Sequence, residues 1–127
     1  MAFGNAYNVY KNNSVNYASK EQLLLMLLEG AVKFSKIARE AILNGNINQA
    51  HTNIIKTENI FMELMATLDI NKGGDWAQDI YNIYNFIVQN LTKANLGKDI
   101  KILDETIELI IQVKDMWNEA YKVSKSG

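Results

Sequence analysis

The side chains that could do chemistry are few and form no catalytic set. The chain has one histidine, His51, and no cysteine, which excludes a thiolate nucleophile and any cysteine-ligated zinc or iron–sulfur site. A di-metal site in a helical bundle needs two Glu-x-x-His pairs, whereas Asn48 stands three residues before His51. Gly73 and Gly74 lack the spacing and the following lysine of a phosphate-binding loop. We therefore predict no enzyme, no metal and no cofactor; the alternative, a haem or other cofactor held by His51 alone, would give a coloured protein.

The charge balance excludes further functions. Thirteen basic and 14 acidic side chains give a net charge of −1, and Arg39 is the one arginine. Such a chain has no positive field with which to hold nucleic acid or an anionic membrane. The acidic group Asp104, Glu105 and Glu108 is most simply a solvated helix face. The start of the chain lacks the pattern of a signal peptide, and the longest apolar run covers residues 23–28 only. We expect a soluble cytoplasmic protein with no nucleic-acid partner and no membrane insertion.

Glycines mark the breaks in a chain that has no proline. Four stretches between them carry apolar residues at three- and four-residue spacing, which predicts helices rather than strands. The predicted helices cover residues 20–43, 47–68, 76–96 and 100–121. Because the turns are short, consecutive helices should be antiparallel. The predicted fold is all-α, an antiparallel up-down four-helix bundle (19–123) with an N-terminal extended arm (1–18) and a C-terminal tail (124–127).

Small polar residues predict where these helices begin and end. Ser19, Asn46 and Asp75 each stand three residues before a glutamine, as in a capping box, and Asp99 can cap the last helix without such a partner. Glycine adopts positive φ without a Cβ penalty, so left-handed C-caps are predicted at two dipeptides. These are Asn44-Gly45 and Leu96-Gly97.

The helices carry more apolar surface than one bundle core needs. The predicted core residues are Leu27, Phe34, Ala38, Ala41, Ile47, Ile54, Phe61, Leu64, Leu68, Ile80, Ile87, Leu91, Ala94, Leu103, Ile107, Ile110 and Trp117. Beside them run second stripes, which comprise Ile55, Met62, Ala66, Ala77, Tyr81, Tyr84, Val88, Ile102, Leu109, Val113 and Met116. Three interpretations remain open from the periodicity: a partner helix or peptide on these stripes, self-association, or a plain core in rotated helices.

Residues 1–18 differ from the rest of the chain. They are rich in asparagine and show no helical stripe, yet they contain aromatic side chains that include Tyr7 and Tyr10. We expect this arm to lie over the apolar start of the first helix or over a second stripe, and to be displaced easily. Tyr7 and Tyr10 are therefore candidate partner-site residues.

Ordered motifs then reveal a resemblance that spans about residues 6–121. An aromatic-x-x-Asn-Ser-Val segment is followed by Ala-Ser and, a few residues on, by Met-Leu-x-x-Gly. The matching positions are 10–19, 23, 26–30, 63–64, 67–69, 74, 84–86, 94–95, 99 and 115–117. In order and spacing the chain resembles the FliS family, the flagellin-specific export chaperones. It departs from that family at Lys20, where proline is usual, and at Gln89-Asn90, where many members carry a basic pair.

The resemblance implies a function for the surplus apolar surface. Members of the family are similar four-helix bundles that bind the disordered C-terminal segment of flagellin, which folds into helices on the bundle. Binding prevents premature polymerisation and keeps the subunit competent for type III secretion. Family members are also linked to other flagellar regulators and to the export gate, but no motif here places those contacts.

We expect flagellin to bind on the second stripes of the second, third and fourth helices. The candidate contacts are Ile55, Met62, Tyr81, Tyr84 and Val88. Asn95 is added because it matches the family pattern. The rival interpretation is a structural homo-oligomer that uses the same stripes for self-association.

Overall fold

The chain folds into four helices in the computed structural model, which describes residues 19–126. The helices are α1 (Lys20–Leu43), α2 (Ile47–Thr67), α3 (Ile70–Gly97) and α4 (Ile100–Ser126). Each packs against two neighbours, so that α1, α2, α3 and α4 follow one another round a ring that closes between α4 and α1. The predicted all-α four-helix bundle is confirmed. The arm with Tyr7 and Tyr10 lies outside the described residues.

Three of the predicted N-caps are present. Ser19 and Gln22 form the complete capping box at the start of α1. At α2, Asn46 accepts a hydrogen bond from the backbone of Gln49, but the Gln49 side chain accepts from the Asn46 amide rather than from its backbone. Asp99 accepts from two backbone N–H groups in the first turn of α4. Each cap satisfies donors that the helix itself leaves unpaired.

The first residue of α3 is Ile70, six residues before the predicted start at 76, which lies close to where the helix resumes after a kink at Gly74. The helix begins at Ile70 because Asp69 caps it, accepting from the backbone N–H of Lys72. The predicted cap Asp75 lies inside α3, directly after Gly74, whose φ of 60° and ψ of −139° kink the helix. Other ends differ less: α2 stops at Thr67, one residue early, and α4 continues through most of the predicted tail.

Of the two predicted left-handed C-caps, one is present. Gly45 has a φ of 74°, as expected after α1. Gly97 is instead the last residue of α3, and Lys98 takes the left-handed conformation with a φ of 48°. The Lys98 ammonium donates to the backbone carbonyl and to the side-chain oxygen of Asn95, which holds this turn in place.

The core lies along the axis of the ring and contains most of the predicted residues. Ile47 is the clear exception, with 49% of its surface exposed. In α1 the core face is rotated from the prediction, so that Leu28, Ala31 and Ser35 are fully buried while Leu27 and Phe34 are only partly buried. Trp117 is also partly buried against the core. Ala77 and Val113, expected on second stripes, are buried.

Candidate partner-binding groove

One flank of α2 borders α3. His51, Ile55, Glu58, Met62 and Met65 follow one another at alternating four- and three-residue spacing, which places them along one side of a helix. His51 and Glu58 both contact side chains of α3. Ile55 and Met65 are half-buried, whereas 45% of Met62 is exposed. This flank of α2 therefore presents apolar side chains beside α3.

A matching flank of α3 faces it. Tyr81, Asn85, Val88, Thr92 and Asn95 follow the same helical spacing. Thr92 and Asn95 contact α2, and Tyr81, Asn85 and Val88 are half-buried along the same side. The two flanks together border one groove, which we call the α2–α3 groove.

Pairs across the groove fix how the two helices face each other. Asn95 Nδ2 lies 3.0 Å from His51 Nδ1, and Thr92 Oγ1 lies 3.0 Å from Glu58 Oε1. Residue numbers rise along α2 as their partners' numbers fall along α3, so the helices are antiparallel. These pairs occupy the end of the groove that is nearer the start of α2. The other end is bordered by Met62 and Tyr81.

At the end of the groove nearer the start of α2, His51 forms a hydrogen bond with Asn95. The Lys98 ammonium donates to Asn95 Oδ1 at 2.8 Å, so the Asn95 amide nitrogen must be the atom that faces His51. An amide N–H can only donate, and His51 Nδ1 therefore accepts.

Burial affects the carboxyl group of Glu58, which lies opposite Thr92 in the groove. Its pKa is raised above the ordinary value, chiefly because burial disfavours the charged form. The hydroxyl of Thr92 and the nearby His51 act in the opposite direction. The groove thus contains one carboxyl group that is partly withdrawn from water.

Tyr84 does not lie on the surface of this groove. It is 1% exposed and belongs to the buried stripe with Ile80 and Ile87, so the expectation that it is surplus to the core is wrong. Its ring contacts that of Phe61, with centroids 5.7 Å apart. Its hydroxyl accepts a hydrogen bond from Trp117 Nε1 at 2.9 Å. Burial, opposed in part by this bond, raises the pKa of Tyr84 to about 12.

The structure brings together five of the predicted partner-site residues. Ile55, Met62, Tyr81, Val88 and Asn95 all border the α2–α3 groove. Of these, Asn95 also ties α3 to α2 through His51. Tyr84 lies beneath them in the core, and the remaining two predicted residues, both in the arm, are outside the described part of the chain.

Sequence reasoning missed the second apolar flank of α3. Trp76 and Phe86 are half-exposed, and Ile83 between them packs partly against the core. Trp76 meets Trp117 of α4 edge to face, with ring centroids 5.3 Å apart. The seven- and three-residue spacings of Trp76, Ile83 and Phe86 were the available signal. Apolar surface therefore lies on both sides of α3.

A cleft of about 850 Å³ between α1 and α4 is a weaker candidate for a site. Charged side chains of both signs line it, and Arg39 pairs there with Asp104 and with Glu40. Among the described side chains, no group of three or more His, Asp or Glu residues could hold a metal ion. No helix within residues 19–126 is long and apolar enough to cross a membrane.

The fold and the groove define a class of protein, a four-helix bundle with an apolar groove along its middle pair of helices. The family model described as flagellar protein FliS matches residues 3–124. The flagellar secretion chaperone FliS of Bacillus subtilis is 34% identical over 94% of this chain and 89% of its own length. That of Campylobacter jejuni is also 34% identical, over 91% of each chain. The chain belongs to the FliS family.

A solved structure agrees on the fold. A crystal structure of a bacterial flagellar chaperone superposes with a TM-score of 0.75, covering 93% of this chain and 96% of the other. Its sequence is 16% identical, so this likeness concerns the architecture alone.

Proposed function

We propose that this protein is a cytoplasmic flagellar export chaperone. It binds the disordered C-terminal segment of flagellin, prevents premature polymerisation and keeps the subunit competent for type III secretion. Membership of the FliS family and relatives named flagellar secretion chaperones support this proposal. The mechanism is binding alone, with no catalytic step.

The single observation that carries the proposal is the apolar border of the α2–α3 groove. Ile55 and Met62 on one flank face the side of α3 that bears Tyr81 and Val88. A groove between two packed helices suits an amphipathic helix laid along both of them, and methionine adapts to irregular partners. The flagellin segment loses conformational entropy when it orders there, which lowers the net affinity and keeps delivery reversible.

Truncation of Met62 tests the position of the site. We expect Met62→Ser to weaken binding of a labelled flagellin C-terminal segment about 5- to 30-fold, since an apolar interface contact typically contributes on the order of 1–2 kcal/mol. Fluorescence anisotropy measures this change. Leu43→Ser is the matched control, because Leu43 is also an exposed apolar residue but lies at the end of α1. Equal affinities for the two variants would place the site elsewhere.

The arm takes part in the same site under this proposal. We propose that Tyr7 and Tyr10, which lie outside the described residues, compete with flagellin for part of this groove. Ser19, where the described chain begins, lies at the end of the bundle where α2 ends and α3 begins, which puts the groove within reach. A protein that lacks residues 1–18 should then bind flagellin more tightly. Weaker binding would mean that the arm contributes contacts to flagellin instead.

Self-association on the same stripes is the outcome that would replace this function. Light scattering over a concentration series separates the two, because a homo-oligomer gains mass with concentration whereas a chaperone binds its partner without a second copy.

A further inference from the structure

The middle of α3 carries no charge. Between Asp79 and Lys93, residues 80–92 include no acidic, basic or histidine side chain, a stretch about 20 Å long at the rise of an α-helix. Its polar side chains outside the core are carboxamides and hydroxyls. They are Tyr81, Asn82, Asn85, Gln89, Asn90 and Thr92.

This absence of charge is not general to the bundle. Charged residues make up 21% of the chain, and the outer face of α4 is rich in them, for example Glu105, Glu108 and Glu119. Helix faces that only meet water are normally charged. The uncharged face of α3 is therefore a property of that surface and not of the composition.

The flank of α2 that faces α3 is nearly as free of charge as the middle of α3. Glu58 is its one carboxylate, half-buried and bonded to Thr92, with a pKa raised by burial. Lys56 turns to the other side of α2, where its ammonium lies 5.2 Å from the centre of the Phe34 ring on α1. Two further titratable groups, His51 and Lys98, lie at the end of the groove nearer the start of α2. Both are bonded to Asn95.

Several of the amides are available for a partner. Within the described part of the chain, Asn85, Gln89 and Asn90 make no side-chain hydrogen bond to another residue. Each can donate and accept without a net charge. Asn85 lies in the groove itself, between Tyr81 and Val88 on the same flank of α3.

We propose that the α2–α3 groove selects a partner segment of low charge, an amphipathic helix whose polar positions facing α3 are amides, hydroxyls or small residues. This inference rests on the proposed function, because it assigns that chemistry to the bound part of the flagellin segment. A charged residue buried against an uncharged helix would lose its hydration without gaining an ion partner. The groove thus discriminates by excluding charge as well as by apolar contact.

The first test is the salt dependence of binding. Attraction between opposite charges is screened by salt, whereas apolar contact and neutral hydrogen bonds are not. We expect the Kd of the full-length chain for the flagellin C-terminal segment to change less than about twofold between roughly 50 mM and 500 mM NaCl. A steady loss of affinity of about tenfold or more would overturn the inference and leave the chaperone function standing. No binding at any salt concentration would overturn the proposed function itself.

The second test introduces charge of either sign at Asn85. Both Asn85→Asp and Asn85→Lys should weaken binding about tenfold, because each places an unpaired charge in the groove. Gln112→Glu and Gln112→Lys on the exposed face of α4 are the matched controls and should leave the Kd unchanged. If either Asn85→Asp or Asn85→Lys strengthens binding, the partner carries the opposite charge at that position and the inference is wrong.

The variant Glu58→Gln is an independent test, because it removes a charge from the groove instead of adding one. The amide oxygen can still accept from Thr92, while the partly desolvated carboxylate is gone. The inference requires this variant to bind flagellin at least as tightly as the parent protein. A loss of more than about threefold would show that the groove uses the negative charge, and would overturn it.

Discussion

Tyr84 is the largest fully buried side chain in the described part of the chain. Its ring packs on Phe61 of α2, and its hydroxyl accepts from the indole of Trp117 on α4. One residue of α3 therefore links both neighbouring helices. A buried phenol and indole that satisfy each other avoid the free-energy penalty of unpaired polar groups.

Replacing Tyr84 by phenylalanine should destabilise the bundle and change its response to alkali. Loss of the acceptor leaves the Trp117 indole N–H without its partner, which lowers the free energy of unfolding by about 1–2 kcal/mol near neutral pH. Urea unfolding followed by circular dichroism measures the change. Trp117→Phe is the matched variant, because it removes the donor from the same bond.

The free energy of unfolding should fall as the pH rises above 10, because of Tyr84. Burial raises the folded-state pKa of Tyr84 to about 12, from an ordinary value of 10.0. The unfolded chain therefore loses this phenolic proton first, and stability present below pH 10 is lost as the pH rises towards 12, by on the order of 2 kcal/mol. The loss should be smaller by that amount in Tyr84→Phe. Equal slopes in both proteins would contradict the burial of the hydroxyl.

The placement of Tyr84 also marks a limit of sequence reasoning at this scale. Its spacing fits both the buried stripe with Ile80 and Ile87 and the partner-site stripe with Tyr81 and Val88. Neighbouring stripes on a helix differ by a fraction of a turn, and packing against α2 and α4 decides between them. Met62 was predicted correctly as an exposed apolar residue, because its own stripe on α2 is separate from the buried residues Phe61 and Leu64.

At the scale of elements, the start of α3 shows which local signals were sufficient to predict where a helix begins. The Ser19 and Asp99 caps were predictable because a short acceptor stands just before each apolar pattern. Asp75 offered the same signal, but Asp69 offers it earlier, and the turn at residues 70–73 is helical. The sequence pattern does not rank two competing caps, so the start of α3 could not be predicted.

Two glycines in α3 should respond oppositely to alanine. Gly74 has a φ of 60° and a ψ of −139°, a conformation open to glycine but strained for other residues, so Gly74→Ala should lower the free energy of unfolding by about 1–3 kcal/mol. Gly97 is helical, and Gly97→Ala should raise it by up to about 1 kcal/mol. At neither position would the new Cβ meet an atom within 4 Å, so backbone conformation alone sets both signs.

Urea unfolding of both alanine variants measures the difference directly. A stabilising Gly74→Ala would mean that the helix runs straight through this position. A destabilising Gly97→Ala would restore the predicted left-handed cap at Gly97 in place of Lys98.

At the scale of the whole molecule, the bundle separates two kinds of surface. The outer face of α4 is charged, as suits a face that meets water, whereas the facing flanks of α2 and α3 are apolar with mostly uncharged polar residues between them, Glu58 being the one carboxylate. The excess of apolar residues over the needs of one core was visible in the sequence. Its location between α2 and α3 needed the ring order of the helices, which periodicity alone does not provide.

The most direct test of this account is titration calorimetry of the full-length protein with the C-terminal segment of its own organism's flagellin, at several temperatures. Folding of the segment in an apolar groove buries apolar surface, so we expect one-to-one binding with a large negative heat-capacity change. No heat at any temperature, together with a dimer that grows with concentration, would contradict the account and assign the apolar flanks to self-association.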